Sequence, residues 1–186
     1  MPEKSATRKA PKESKDWIRK QIMAGLTLCA TLFLGAYYFL PLPAIQAQSP
    51  VDRFILTIRC LFVSSLPIPL ILQSVGNARF NTTAIDPVKG GGEDIVDVPN
   101  RILRNTIEQY IMHAVAMLTL CTFLDEDSLK VLPILSVIFV IFRLLFWWGY
   151  LSSPLNRAVG MSGTAMPIFL TYLYCLYRII KNIMVF

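Results

Sequence analysis

Five apolar stretches recur along the chain, each close to the length that crosses a bilayer as a helix. They cover residues 18–40, 54–75, 101–124, 131–151 and 161–185. Pro67 and Pro69 lie inside the second stretch and predict a kink, because neighbouring helices can accept the carbonyls that proline leaves free. Short links between the stretches favour an up-and-down bundle. The pattern therefore predicts an all-α integral membrane protein with five spans in one domain.

Composition and charge give this bundle an orientation. Apolar residues make up 54% of the chain and charged residues 16%, which excludes an ordinary soluble domain. Residues 1–17 form a polar, basic tail, which the positive-inside rule places in the cytosol, and we expect it to be disordered. A cleaved signal peptide is the alternative. The apolar run of residues 22–40 is longer than the usual core of such a peptide, which favours a retained first span.

This orientation predicts the side on which each link between spans lies. Residues 76–100 and 152–160 fall in the cytosol with the amino terminus, whereas residues 41–50 and 125–130 fall on the opposite side. Asn81 begins a glycosylation sequon within the first of these loops. We therefore expect Asn81 to remain unmodified.

Two charged residues lie inside predicted spans. Glu108 is seven residues into the third span and Arg143 is eight residues before the end of the fourth. At the helical rise these positions lie about 10 and 12 Å from the same membrane face. A charge in hydrocarbon costs roughly 2.5–3.5 kcal/mol on insertion scales, so each needs a partner or water. We therefore predict a structural ion pair between Glu108 and Arg143.

Further polar residues follow the same helix faces. Arg101, Arg104, Asn105 and Glu108 are spaced three and four apart, while Tyr150 and Arg157 follow Arg143 at seven-residue intervals. This constellation carries net positive charge near the cytosolic interface and suits an anionic ligand with carboxylates. The alternative is structural, because a buried pair can lock a bundle and interfacial arginines can reach lipid headgroups.

Other kinds of site have little support in the sequence. The four cysteines, Cys29, Cys60, Cys121 and Cys175, each fall in a different span, which argues against a disulfide framework. His113 is the only histidine, and no histidine or cysteine spacing predicts a metal site. We expect the lipid bilayer as a partner, and neither a metal nor nucleic acid.

These polar residues resemble the MAPEG family, the membrane-associated proteins in eicosanoid and glutathione metabolism. The second helix of that family carries Arg-x-x-x-Asn-x-x-Glu, matched here by Arg101, Asn105 and Glu108, with Arg104 as a further match. Its third helix carries an arginine and then a tyrosine seven residues later, as Arg143 and Tyr150 stand here. Arg157 matches an arginine that closes the motif in one branch. The resemblance covers residues 51–186, with residues 18–40 as an additional amino-terminal transmembrane helix.

The resemblance implies a MAPEG-like four-helix bundle that assembles as a homotrimer. Glutathione would bind between subunits at the cytosolic face, held by a set of polar side chains: Arg101, Arg104, Asn105, Glu108 and Tyr150. Arg157 would be the catalytic residue that favours the thiolate. The implied activity is a glutathione transferase or peroxidase acting on a lipophilic substrate.

The additional span and residues 105–109 resemble a five-span animal branch of the family. Members of that branch are linked to the trafficking of secretory vesicles and receptors rather than to a defined glutathione reaction. The alternative function is therefore a non-catalytic scaffold whose partner is another membrane protein. Both alternatives imply a multi-pass protein of the endoplasmic reticulum or secretory pathway.

Overall fold

The computed structural model describes residues 12–41, 49–80, 82–85 and 91–184. These residues form helices and contain no strand, which confirms the predicted all-α fold. The six long helices are α1 (Lys12–Phe39), α2 (Pro50–Ser65), α3 (Pro67–Phe80), α4 (Glu93–Leu120), α5 (Val131–Ser152) and α6 (Ala158–Met184). Single 3-10 turns lie at Thr83–Ile85 and Glu126–Ser128.

The predicted kink in the second span is a break between two helices. Leu66 separates α2 from α3, and its backbone N–H bonds to the Val63 carbonyl at 3.2 Å. Pro67 then opens α3, because proline has no N–H to donate and is tolerated at the start of a helix. At the other end of α2, Ser49 and Asp52 cap each other's backbone N–H groups.

Two predicted boundaries are wrong. The tail was expected to be disordered through residue 17, but α1 is already helical from Lys12, and Asp16 pairs with Arg19 one turn later at 3.7 Å. The loop 76–100 is also shorter than predicted, because α4 begins at Glu93. Gly92 precedes it with a φ of 70°, a left-handed conformation that glycine adopts without strain. Residues 1–11 and Asn81 lie outside the described part of the chain.

Within the described residues, four segments are long and apolar enough to cross a membrane. They are Lys12–Phe39, Pro50–Phe80, Glu126–Ser152 and Ala158–Met184. Helix α4, with 28 residues, is long enough to cross a membrane. Its hydropathy is lower than that of the other spans because polar side chains interrupt it. Thr106, Gln109 and His113 are buried against the other helices. The chain is therefore a multi-pass membrane protein in which α4 turns one polar face inward.

Specific contacts fix how the helices run. Helices α5 and α6 are antiparallel, since Gly160 packs on Phe146 and Gly163, further along α6, packs on Phe142, which is earlier in α5. The same is true of α4 and α5, where Asn105 meets Arg143 and the ring of His113 stacks on that of Phe139. These pairs are antiparallel, as the predicted up-and-down bundle requires.

The additional helix α1 runs parallel to α6. Gly25 of α1 lies against Val159 and Ser162 of α6. The two helices are so close there that a side chain larger than hydrogen would collide with α6. One end of the bundle, here called the site end, therefore carries the starts of α1, α4 and α6. At the far end, the Lys130 ammonium donates to the Tyr37 carbonyl at 3.1 Å. The amino terminus of α1 and the α5–α6 turn thus share one end.

Candidate functional site

Arg143 lies at the centre of the polar cluster near the site end and has no exposed surface. Its Nε donates to Thr164 Oγ1 at 3.1 Å, and one terminal nitrogen donates to Asn105 Oδ1 at 2.9 Å. The guanidinium also lies 4.4 Å from the ring centre of Phe146. Neutral acceptors and an aromatic face therefore stabilise this buried charge.

The predicted ion pair between Glu108 and Arg143 is wrong. The Glu108 carboxylate instead accepts from Arg104 Nε at 3.1 Å, on the exposed face of α4. Glu108 and Arg143 lie at a similar depth in the membrane, but equal depth does not make them face each other. Glu108 is three residues after Asn105, and three residues turn a helix by about 300°. Glu108 therefore points about 60° away from Asn105, and it is Asn105 that faces α5.

Tyr150 and Arg157 form the outer part of the cluster. Tyr150 is buried at the end of α5, in edge-to-face contact with Phe146 at 5.6 Å. Its phenol oxygen accepts from an Arg157 terminal nitrogen at 3.0 Å, and the same guanidinium lies 5.1 Å from the ring centre. The phenol of Tyr150 thus holds the Arg157 guanidinium at the outer edge of the cluster.

Gly149 allows the chain to fold back and bring Arg157 to this position. A Cβ on Gly149 would lie 2.6 Å from the Asn156 carbonyl oxygen, so a larger residue would push the turn away. Within the turn, the Ser153 N–H bonds to the Gly149 carbonyl at 3.0 Å. The close approach of the turn to α5 fixes the backbone from which Arg157 extends.

Helix α1 contacts the same turn. Trp17 Nε1 lies 3.2 Å from Asn156 Oδ1, and the Gln21 carboxamide lies 2.9 Å from that oxygen. The sequence did not predict that Trp17 and Gln21 contact Asn156, since contacts between residues so distant in sequence leave no local spacing signal. It also missed Thr164, whose hydroxyl is just another small polar group in an apolar helix.

The predicted site residues divide into two groups. The partly buried Asn105 and the buried Arg143 form a brace between α4, α5 and α6, and each already has a partner. Arg101, Arg104, Glu108 and Arg157 are exposed at the surface of the protomer, beside the buried Tyr150. Arg101 also binds Asp97 at 2.9 Å. The exposed arginines present guanidinium groups that can bind carboxylates in a bidentate manner.

Among the described residues, no group of histidine, cysteine and acidic side chains is arranged to hold a metal ion. All four cysteines are free and buried. They are less separated than the sequence suggested, because Cys60, Cys121 and Cys175 meet in one core cluster.

Comparison with known proteins gives two further findings. The sequence model of the MAPEG family matches residues 57–177. Transmembrane protein 79 from Mus musculus is 28% identical over 156 residues, which cover 84% of this chain and 40% of that protein. The Bos taurus protein of the same name is 29% identical over 154 residues, covering 83% and 39%. No solved structure matches the chain.

The chain spans about two fifths of the length of these curated relatives. Transmembrane protein 79, also called mattrin, is itself a member of the MAPEG family. The family match includes every predicted site residue from Arg101 to Arg157. Because it also extends over more than half of the sequence, the chain belongs to the MAPEG family.

Proposed function

We propose that the site end binds glutathione and that the protein is a glutathione transferase or peroxidase acting on lipophilic electrophiles. The observation that carries this proposal is a group of guanidinium side chains at one end of the bundle: Arg157, held by the phenol of Tyr150, and the exposed Arg101 and Arg104. It creates a positively charged surface at the end of a membrane bundle, beside a buried hydroxyl. Glutathione carries two carboxylates and an amino group, and it needs a cation near its thiol to react as a thiolate.

The ion pairs on the exposed face of α4 are weak enough for a ligand to replace them. Arg101 pairs with Asp97, and Arg104 with Glu108, each one turn apart on the same exposed face. Such pairs contribute only about 0–1 kcal/mol, so a ligand carboxylate can replace the internal partner. Glu108 would then accept from the ligand's amino group.

The same surface supports the proposed homotrimer. Ile107 and Ile111 lie beside Arg104 and Glu108 on α4 and are 38% and 57% exposed. Charged side chains inside a membrane normally face protein or water rather than lipid. A second copy packed on this face would cover the isoleucines and complete a site between subunits.

Arg157 would act on the thiol of glutathione. Its guanidinium is held by the Tyr150 phenol and stands at the mouth of the surface rather than within the brace. A fixed positive charge lowers the free energy of a nearby thiolate, which is the nucleophile in transfer to an electrophile. Lipophilic substrates would enter from the bilayer.

A non-catalytic scaffold in secretory-pathway or receptor trafficking is the second candidate. One observation favours it: the amide oxygen of Asn105 accepts from Arg143, so that this oxygen is already occupied within the protein. The relatives named Transmembrane protein 79 have no reaction in their name. In either case we propose a membrane of the endoplasmic reticulum or secretory pathway, with the amino terminus in the cytosol as its basic tail indicates.

Equilibrium binding of radiolabelled glutathione to the purified protein in lipid nanodiscs tests this proposal. Arg104→Ala should weaken binding about tenfold or more, because a charged hydrogen bond contributes about 1.5–3 kcal/mol. Arg19→Ala is the matched control, since Arg19 is an exposed arginine at the same end, paired with Asp16. Equal effects of the two variants, or no binding by the wild type, would leave the scaffold as the better account.

A further inference from the structure

A long apolar groove lies between α1 and the main bundle, away from the arginine cluster. Its volume is about 480 Å³, within the range of roughly 300–1,000 Å³ of ligand-binding pockets. Helix α1 forms one wall and α6 the other, with the end of α4 and the start of α5 between them. The lining includes Leu26, Phe33 and Leu34 from α1 and Met166, Leu170 and Tyr174 from α6.

The groove runs along the bundle toward the far end. On α1 its lining extends from Leu26 to Leu34, eight residues or about 12 Å of helix. One leaflet of the hydrocarbon core is about 15 Å deep, half of a core about 30 Å thick. Because α1 and α6 are parallel, both walls advance toward the far end together. The groove therefore has the length and direction of an acyl chain in the leaflet at that end.

Two cations follow the lining, one on each side. Arg178 is one turn beyond Tyr174, donates to its hydroxyl at 2.6 Å and lies 5.4 Å from the ring centre of Phe123. Lys130 lies next to Val131 of the lining and sits 3.9 Å above the ring of Tyr37, one turn beyond Leu34. Within the described part of the chain, neither cation forms an ion pair with a carboxylate. Both are held by aromatic residues at the end of the groove.

Four carboxylates also lie at this end: Asp52 in the first turn of α2, and three in the turn between α4 and α5. Asp125, Glu126 and Asp127 are exposed in the turn before Lys130. They lie in and beside the 3-10 turn, whereas Arg178 lies within α6, two turns before its described end at Met184. Among the described residues no carboxylate pairs with Arg178 or Lys130, and each cation lies against an aromatic ring beside the lining.

We infer that this groove binds a glycerophospholipid of the far leaflet, with an acyl chain along the groove and the phosphate at Arg178 and Lys130. An apolar channel that ends in two unpaired cations matches an amphiphile with a negative headgroup. A second copy of the chain packed into the groove is the alternative occupant, and in that case the lining would not be labelled by a lipid probe. The site is independent of the proposed glutathione surface, which lies at the other end.

A phospholipid probe with a photoreactive group in its acyl chain tests the groove directly. The full-length protein would be reconstituted in vesicles with this probe, irradiated and digested, and the labelled peptides would be identified by mass spectrometry. Labelling should concentrate on the α1 and α6 segments that line the groove. Ala30→Trp should fill the groove and reduce labelling several-fold, whereas Ala24→Trp, on the exposed surface of the same helix, should not. Equal labelling of all lipid-facing helices would show only surrounding lipid and overturn the proposal.

The headgroup contact needs a separate comparison. The phospholipid probe should label the groove several-fold more than an uncharged diacylglycerol probe with the same chain. Arg178→Gln should remove most of that preference, while Lys181→Gln, an exposed cation in the next turn of α6, should keep it. A preference that survives in Arg178→Gln, or that is absent from the wild type, would show that the cations do not bind the phosphate.

Discussion

Arg143 of α5 donates a hydrogen bond to the amide oxygen of Asn105 of α4 at 2.9 Å, in the interior of the bundle. This contact, rather than an ion pair, is how the molecule accommodates a charged residue in an apolar helix. It joins the two helices that carry most of the candidate site. The positions of the exposed arginines on α4 relative to α5 therefore depend on this contact.

The first prediction concerns this brace. Asn105→Leu should destabilise the protein by about 1.5–3 kcal/mol, because it leaves a buried guanidinium without its amide acceptor. Arg143→Met should cost less than Asn105→Leu, since it removes the charge together with the contact. The double variant should recover part of the loss, with a coupling energy of about 0.5–3 kcal/mol. Unfolding of the detergent-purified variants measures all three values.

The exposed pair on α4 provides the control for that cycle. Arg104→Met should change stability by about 1 kcal/mol or less, since exposed ion pairs contribute little. Additive effects of Asn105→Leu and Arg143→Met would contradict the brace.

The second prediction concerns the contact between α5 and α6. Gly160→Ala places a methyl group against the backbone of Phe146, which cannot move aside as a flexible side chain would. We expect a loss of about 1–3 kcal/mol or more, as in other overpacked cores. Gly35→Ala is the matched control, because nothing lies within 4 Å of a Cβ there. Thermal unfolding should show a lowered midpoint for Gly160→Ala alone, and equal midpoints would be evidence against this packing.

Much of the helical architecture could be predicted from the sequence, because apolar runs and prolines are local signals. The kink before Pro67 and the ends of α5 followed directly from them. The start of α1 at Lys12 did not, since its first turns are polar and resemble a disordered tail. Their order comes instead from contacts such as that of Trp17 with Asn156 in a distant turn.

The sequence pointed to candidate residues, but it did not indicate how they pair in the structure. Spacing identified the helix faces of Glu108 and Arg143, and depth suggested that they meet. The direction in which each side chain points depends on how the helices are rotated about their axes, and that rotation is set by packing. Thr164, the second acceptor of Arg143, has no feature in the sequence that distinguishes it from other threonines.

The third prediction concerns topology. Lys15 and Leu155 lie at the site end, whereas Asp127 lies in the turn at the far end, so the first two should share one side of the membrane. Cysteines introduced singly at these positions, in sealed microsomes, should react with an impermeant maleimide at Lys15→Cys and Leu155→Cys. Asp127→Cys should react only after permeabilisation. The four native cysteines are buried and give the background.

Asn81 gives an independent reading of the same topology. If its loop is cytosolic, Asn81 should remain without glycan when the protein is made in microsomes. A band that is sensitive to endoglycosidase and disappears in Asn81→Gln would place the loop, and with it the site end, in the lumen.

The fourth prediction tests the central claim, that the site end binds glutathione and favours its thiolate. The measurement is the ultraviolet thiolate absorbance of glutathione added to the wild-type protein, Arg157→Ala and Arg157→Lys in nanodiscs. The wild type should show a thiolate signal that saturates with glutathione, Arg157→Lys should keep part of it, and Arg157→Ala should lose it while the oligomer stays intact. A wild-type protein that binds no glutathione at millimolar concentration and shows no thiolate signal would contradict the account.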